Sequence, residues 1–146
     1  MLIRGEWWLC SDGETCPTVP IDVIGVGDAP FHRRFLVDIG ADRTVFSAAL
    51  LADLGLQADV PPPDLNFQGI GGMSPFVVVT TVLELAREGG GIARVRGQFA
   101  AFTDPRATDM NILGRDVLDH FDVIVSRRRN EVLLLAPNHS YAVSGP

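Results

Sequence analysis

The chain has no lysine: all 12 of its basic residues are arginine, set against 18 acidic ones. The net charge of −6 argues against nucleic acid as a partner, which would call for a basic face. The one basic run, Arg127-Arg128-Arg129, falls where a hairpin turn is expected and reads as a solvated turn. Apolar residues make up 47% of the sequence, yet no stretch approaches the roughly 18 consecutive apolar residues of a membrane span. No membrane partner is expected. The opening MLIRGEWW has no apolar leader core, so the expected location is cytoplasmic.

Cysteine is scarce as well. Cys10 and Cys16 stand alone, and without a histidine cluster they give no zinc signal, so no metal or other cofactor is expected. They could face each other across a hairpin and form a disulfide, but in a reducing compartment two free thiols are the expectation. His32, His120 and His139 are scattered and read as surface histidines. No serine sits in a G-x-S-x-G nucleophile elbow.

What is present is mostly β pattern. At 146 residues the chain is long enough for one domain to bury a substantial core, and no internal repeat or second-domain boundary is visible across 1–146. Strands are predicted at 7–10, 18–26, 31–37, 77–85 and 92–102, with a hairpin of 122–126 and 131–135. Trp7 and Trp8, neighbours on a strand, point to opposite faces, one into the core. Ser47 can cap a helix that runs to Leu54 and stops at Gly55. Pro61-Pro62-Pro63 makes a stiff connector, 116–120 a second short helix, and 137–146 a loose tail. The expected class is all-β with one or two short helices.

Three segments carry the chemistry. In FLVDIGADRTVF (35–46) an apolar strand ends on Asp38, followed by Ile39, Gly40, Ala41 and Asp42. A carboxylate at the end of a buried run needs partners, and Gly40 lets the backbone turn sharply beside it. In NFQGIGGMSPF (66–76), Gly69, Gly71 and Gly72 surround Ile70, as in a flexible hairpin tip. In NILGRDVL (111–118), Ile112 and Leu113 precede Gly114 and Arg115.

The order and spacing of these segments resemble the retropepsins, the retroviral-type aspartic proteases and their cellular and bacterial relatives, over 20–136. The resemblance implies a closed β-barrel-type acid protease lobe acting as a homodimer. Asp38 is the only aspartate in such a context, so a pair of catalytic carboxylates requires one from each subunit. It further implies that Gly40 approaches substrate and that Asp42 receives backbone donors of the bound peptide. Arg115 would pair with Asp42 as a planar guanidinium suits. Gly69, Ile70, Gly71 and Gly72 would form a flap over a peptide that adds to the protein as a strand. Subsites at Val45, Ile70 and Phe76 would favour apolar side chains, and Glu131 to Leu135 would join the dimer interface.

Ile39 departs from the family pattern, which has threonine or serine after the aspartate. That hydroxyl hydrogen-bonds across the dimer, and isoleucine cannot donate. Two readings therefore stand: a homodimeric aspartic endopeptidase, with activity attenuated by Ile39, or a retropepsin-like dimer that binds peptide or protein without cutting it. A monomeric β-barrel domain is a third.

Overall fold

The computed structural model describes residues 1–63 and 74–145. Strand β1 (Leu2–Leu9) turns through Ser11-Asp12-Gly13 into β2 (Thr15–Ile24), and a short 3-10 turn at Val26–Asp28 leads to β3 (Pro30–Val37). The two-residue β4 (Val45–Phe46) precedes helix α1 (Ala48–Leu54). Then come the long hairpin β5 (Phe76–Ala86) and β6 (Ile92–Phe102), the short β7 (Asn111–Leu113), helix α2 (Arg115–Leu118), and the hairpin β8 (Asp122–Ser126) and β9 (Glu131–Leu135).

These strands form a retropepsin-like closed barrel with an extension. Around the barrel the order is β2-β3-β7-β4-β6-β5, and β5 returns to β2 to close it. β2 closes the barrel by pairing with three strands. Its first half pairs with β1, its length from Thr18 onward with β3, and Asp22 and Val23 with β5. Outside the barrel the sheet continues β1-β9-β8. β1 joins the two parts, pairing through Leu2 to Gly5 with β9 and through Glu6 to Leu9 with β2.

The alternation of β2 and β3 sends Val19, Ile21, Val23 and Phe35 inward to meet Phe46, Phe99, Leu83, Leu113 and Leu50. The rings of Phe35 and Phe46 meet edge-on at 5.9 Å. Burying such side chains contributes roughly 1.5–3 kcal/mol each, so this cluster dominates the stability of the barrel. Helix α1 forms as its caps dictate. The Ser47 hydroxyl accepts from the Leu50 N–H at 3.2 Å, and Gly55 ends the helix in the left-handed region at φ 64°.

Several expectations are revised. β1 begins at Leu2, because pairing with β9 recruits a segment whose Arg4, Gly5 and Glu6 break the apolar pattern. Cys10 and Cys16 are joined in a disulfide, where free thiols were expected. Trp8 lies opposite Cys16 and the Cys10 N–H reaches the Glu14 carbonyl at 2.7 Å, which brings the two cysteine Cα atoms to 6.1 Å. His32 lies on the surface, as expected. It lies opposite Asp22 across β2 and β3, with its Nδ1 at 2.7 Å from Asp22 Oδ1 on the exposed surface. Trp7 packs against the core and donates its indole N–H to the Ser126 carbonyl at 3.2 Å. Trp8 faces outward, with the Arg34 guanidinium 3.6 Å over its ring. Among the described residues no helix is long and apolar enough to cross a membrane.

Candidate active site

Asp38 is placed by two parallel strands. β3 and β7 pair Phe35 with Asn111, Leu36 with Ile112 and Val37 with Leu113, and the ladder ends where the Asp38 N–H donates to the Leu113 carbonyl at 3.1 Å. The carboxylate therefore emerges beside Gly114, on a support of buried side chains. Ile112 and Leu113 are among them, as expected, together with Val45, Ala100 and Phe102.

The loop then folds back on the acid. The Gly40 N–H donates to Asp38 Oδ1 at 2.9 Å, and the Ala41 N–H to the Asp38 carbonyl at 3.2 Å. Gly40 does not adopt a left-handed conformation, as a sharp glycine turn would require. Its role is spatial: a Cβ there would stand 3.2 Å from Asp38 Oδ1 and crowd the carboxylate. The second oxygen, Asp38 Oδ2, is buried and has no hydrogen-bond partner among the described residues. Beside it, Ile39 turns its apolar side chain outward, 67% exposed.

Asp42 and Arg115 are brought together by the start of α2. The Arg115 N–H donates to the Ala41 carbonyl at 2.9 Å and the Asp116 N–H to the Asp42 carbonyl at 3.2 Å. The side chains then pair through one guanidinium nitrogen, Arg115 Nη2, and Asp42 Oδ1. Both are about half exposed, so the pair adds at most about 1 kcal/mol to stability.

A tighter brace lies behind them. Thr44 is fully buried, and both its N–H and its hydroxyl donate to Asp116 Oδ1, at 2.8 and 2.7 Å. The same hydroxyl accepts from the Gly114 N–H at 3.1 Å. Gly114 cannot carry a side chain here, since a Cβ would fall 2.4 Å from the Arg43 carbonyl group. A second polar link ties the Ser47 N–H to Asn111 Oδ1 at 2.8 Å. Sequence reasoning passed over Thr44, Asp116 and Asn111. The available signal was a polar residue beside an apolar run in each of T-V-F and N-I-L.

Residues 19–117 match a family model described as aspartyl protease. The chain belongs to the aspartyl protease family. Its fold is shared with a retropepsin-like aspartic protease from Rickettsia conorii, at 14% identity and a TM-score of 0.55, covering 92% of this chain and 88% of that one. The retroviral protease-like domain of Ddi1 from Leishmania major has a TM-score of 0.50 at 15% identity, covering 84% of this chain and 96% of that one. EIAV protease complexed with the inhibitor HBY-793 is 23% identical, with a TM-score of 0.46, covering 75% of this chain and 91% of that one. Among curated proteins none matches this sequence.

One expected subsite residue stands differently. Val45 is fully buried, because β4 pairs with both β6 and β7, and it cannot line an open subsite. Phe76 is partly buried and packs on the cluster beneath the loop. Gly69, Ile70, Gly71 and Gly72, the expected flap, lie outside the described residues. Among the described residues no group of histidine, cysteine, aspartate and glutamate could hold a metal ion. A cleft of about 310 Å³ lined by Trp8, Leu9, Cys10, Arg34, Met110 and Asn111 includes none of the residues of the Asp38 loop.

Proposed function

We propose that this chain is an aspartic endopeptidase whose active site forms when two copies bring their Asp38 carboxylates together. The observation that carries the reading is the orphaned Oδ2. Buried polar atoms almost always have a partner, and an oxygen without one beside a satisfied Oδ1 marks a group awaiting its counterpart. A second Asp38, with a proton and a water between the two, supplies that counterpart.

The chemistry follows from like charges held close, since two adjacent carboxylates resist ionising together and share one proton. The ionised member takes a proton from water, which attacks the scissile carbonyl carbon. The protonated member donates to the carbonyl oxygen, and the tetrahedral intermediate collapses as the two exchange roles. No cofactor enters. The Gly40 N–H orients Oδ1, and Asp42, steadied by Arg115, accepts N–H groups of the peptide.

Purified chain incubated with an apolar-rich peptide library at acid pH should cleave it, with rate per subunit falling on dilution, and Asp38→Asn should abolish cleavage. Ile39 supports the second reading, a dimer that binds peptide without cutting. It places an exposed apolar side chain where the family has a hydroxyl. An intact dimer that binds peptide yet cleaves nothing from about pH 3 to about pH 7 would establish that reading instead.

A further inference from the structure

Each half of β1 is held by one ladder. Leu2 to Gly5 pair with β9, and Glu6 to Leu9 pair with β2. The outer half ends in Trp8 and Leu9, 48% and 66% exposed, and the Cys10–Cys16 disulfide lies immediately beyond them. We infer that this pair is a reversible redox site, a latch that fixes the outer half of β1 to the barrel when oxidised and releases it when reduced. The latch goes beyond the proteolytic reading and stands independently of it.

The surroundings of the two cysteines make the reaction local and reversible. The turn between them keeps hydrogen bonds of its own. The Cys10 N–H donates to the Glu14 carbonyl at 2.7 Å, the Gly13 N–H to the Cys10 carbonyl at 3.0 Å, and the Glu14 N–H to Asp12 Oδ1 at 2.9 Å. The thiols left by reduction therefore stay near enough to rejoin. A bond that closes so short a loop restrains the unfolded chain least, so its loss leaves the barrel folded. Cys16 is partly exposed and Cys10 is buried, which directs attack to Cys16. A thiolate of a dithiol reductant bonds to Cys16 Sγ, the Cys10–Cys16 bond breaks, and Cys10 leaves as a thiolate that takes up a proton. The reductant's other thiol, losing its proton, then attacks the reductant sulfur of the mixed disulfide. Cys16 leaves as a thiolate and is protonated, and the reductant departs as a cyclic disulfide, having given up a pair of electrons.

Release reaches the interior through β3. The Arg34 guanidinium lies 3.6 Å over the Trp8 ring and donates to Glu6 Oε1, so one side chain of β3 clasps the outer half of β1. Trp8, Leu9 and Cys10 line the cleft of about 310 Å³ from the hairpin, and Arg34, Met110 and Asn111 line it from β3 and the start of β7. Glu6, Thr18, Leu36 and Ile112 stand in one row across β1, β2, β3 and β7, and the Thr18 hydroxyl donates to the Glu6 carbonyl at 2.8 Å. Alternation puts Leu36 and Asp38 on the same side of β3. Freeing β1 thus opens the cleft and slackens the end of a row that runs beside the acid.

Hydrogen exchange of the full chain, with and without dithiothreitol, tests this. Reduction should speed exchange within 6–10 and 14–16 by about tenfold and leave 19–23 and 35–37 protected. Oxidised dithiothreitol should restore slow exchange by re-forming the intramolecular pair. The variant with both Cys10→Ser and Cys16→Ser should exchange like the reduced chain and ignore the reagent. Equal exchange in the two states, loss of protection throughout the barrel, or reoxidation into cross-linked chains would each overturn the latch. Peptide cleavage should slow by about threefold on reduction and recover on reoxidation. A cleavage rate indifferent to reduction would overturn the link to Asp38. A chain that cleaves nothing in either state counts against the protease reading alone, and exchange still decides the latch.

Discussion

Asp116 and Thr44, 72 residues apart, are joined twice: one carboxylate oxygen accepts both the backbone N–H and the hydroxyl of a fully buried threonine. Because that hydroxyl also receives the Gly114 N–H, the Thr44 segment and the 114–116 segment are tied at one atom directly behind the acid. Asp116→Ala would leave two buried donors unsatisfied, at about 1–3 kcal/mol each before any relaxation. The expected result is a lower urea midpoint with an unchanged slope. Proteolytic activity should be lost before global unfolding as denaturant is raised.

Gly114 tests the same brace from the other side. Gly114→Ala forces a methyl group to within 2.4 Å of the Arg43 carbonyl, a contact the buried backbone cannot yield to cheaply. Overpacking of this kind costs about 1–3 kcal/mol. Thermal unfolding should shift downward by several degrees, and the conservative Ala41→Gly control should shift it less.

The half-exposed Asp42–Arg115 pair should behave otherwise. A double-mutant cycle on stability should return a coupling below about 1 kcal/mol. If Asp42 receives the peptide's backbone donors, Arg115→Lys should leave the urea midpoint in place and raise KM more than it lowers kcat. Steady-state kinetics with one cleavable peptide separate the two.

How far the sequence could be read depended on where the information lay. Helix α1 was legible because Ser47 and Gly55 carry both ends locally, and β8 and β9 were legible from alternation around a turn. β4 was not, since two residues hold no period and become a strand only through β6 and β7. The same burial removes Val45 from the subsites. The Asp42–Arg115 contact followed from motif order and spacing that resemble those of the retropepsins. The Thr44–Asp116–Gly114 brace depends on a three-dimensional closure that no single segment signals.

Ile39 gives the sharpest test of what this site lost or kept. Its side chain is 67% exposed in the single chain, beside an acid whose second oxygen has no partner among the described residues. In the proposed dimer two such side chains meet near the axis, where they exclude water but satisfy no polar group of the facing loop. Restoring a hydroxyl through Ile39→Thr would add one hydrogen bond per subunit, each contributing about 0.5–1.5 kcal/mol net. The dimer dissociation constant should fall by about tenfold, since two such bonds outweigh the apolar contact they replace. kcat/KM per dimer should rise with it, because a more rigid loop holds the two acids at one separation. Sedimentation equilibrium and a peptide-cleavage assay on the same preparation measure both. If Ile39→Thr instead weakens the dimer, the apolar pair is itself the brace, and this chain holds its two loops together by packing rather than by hydrogen bonds.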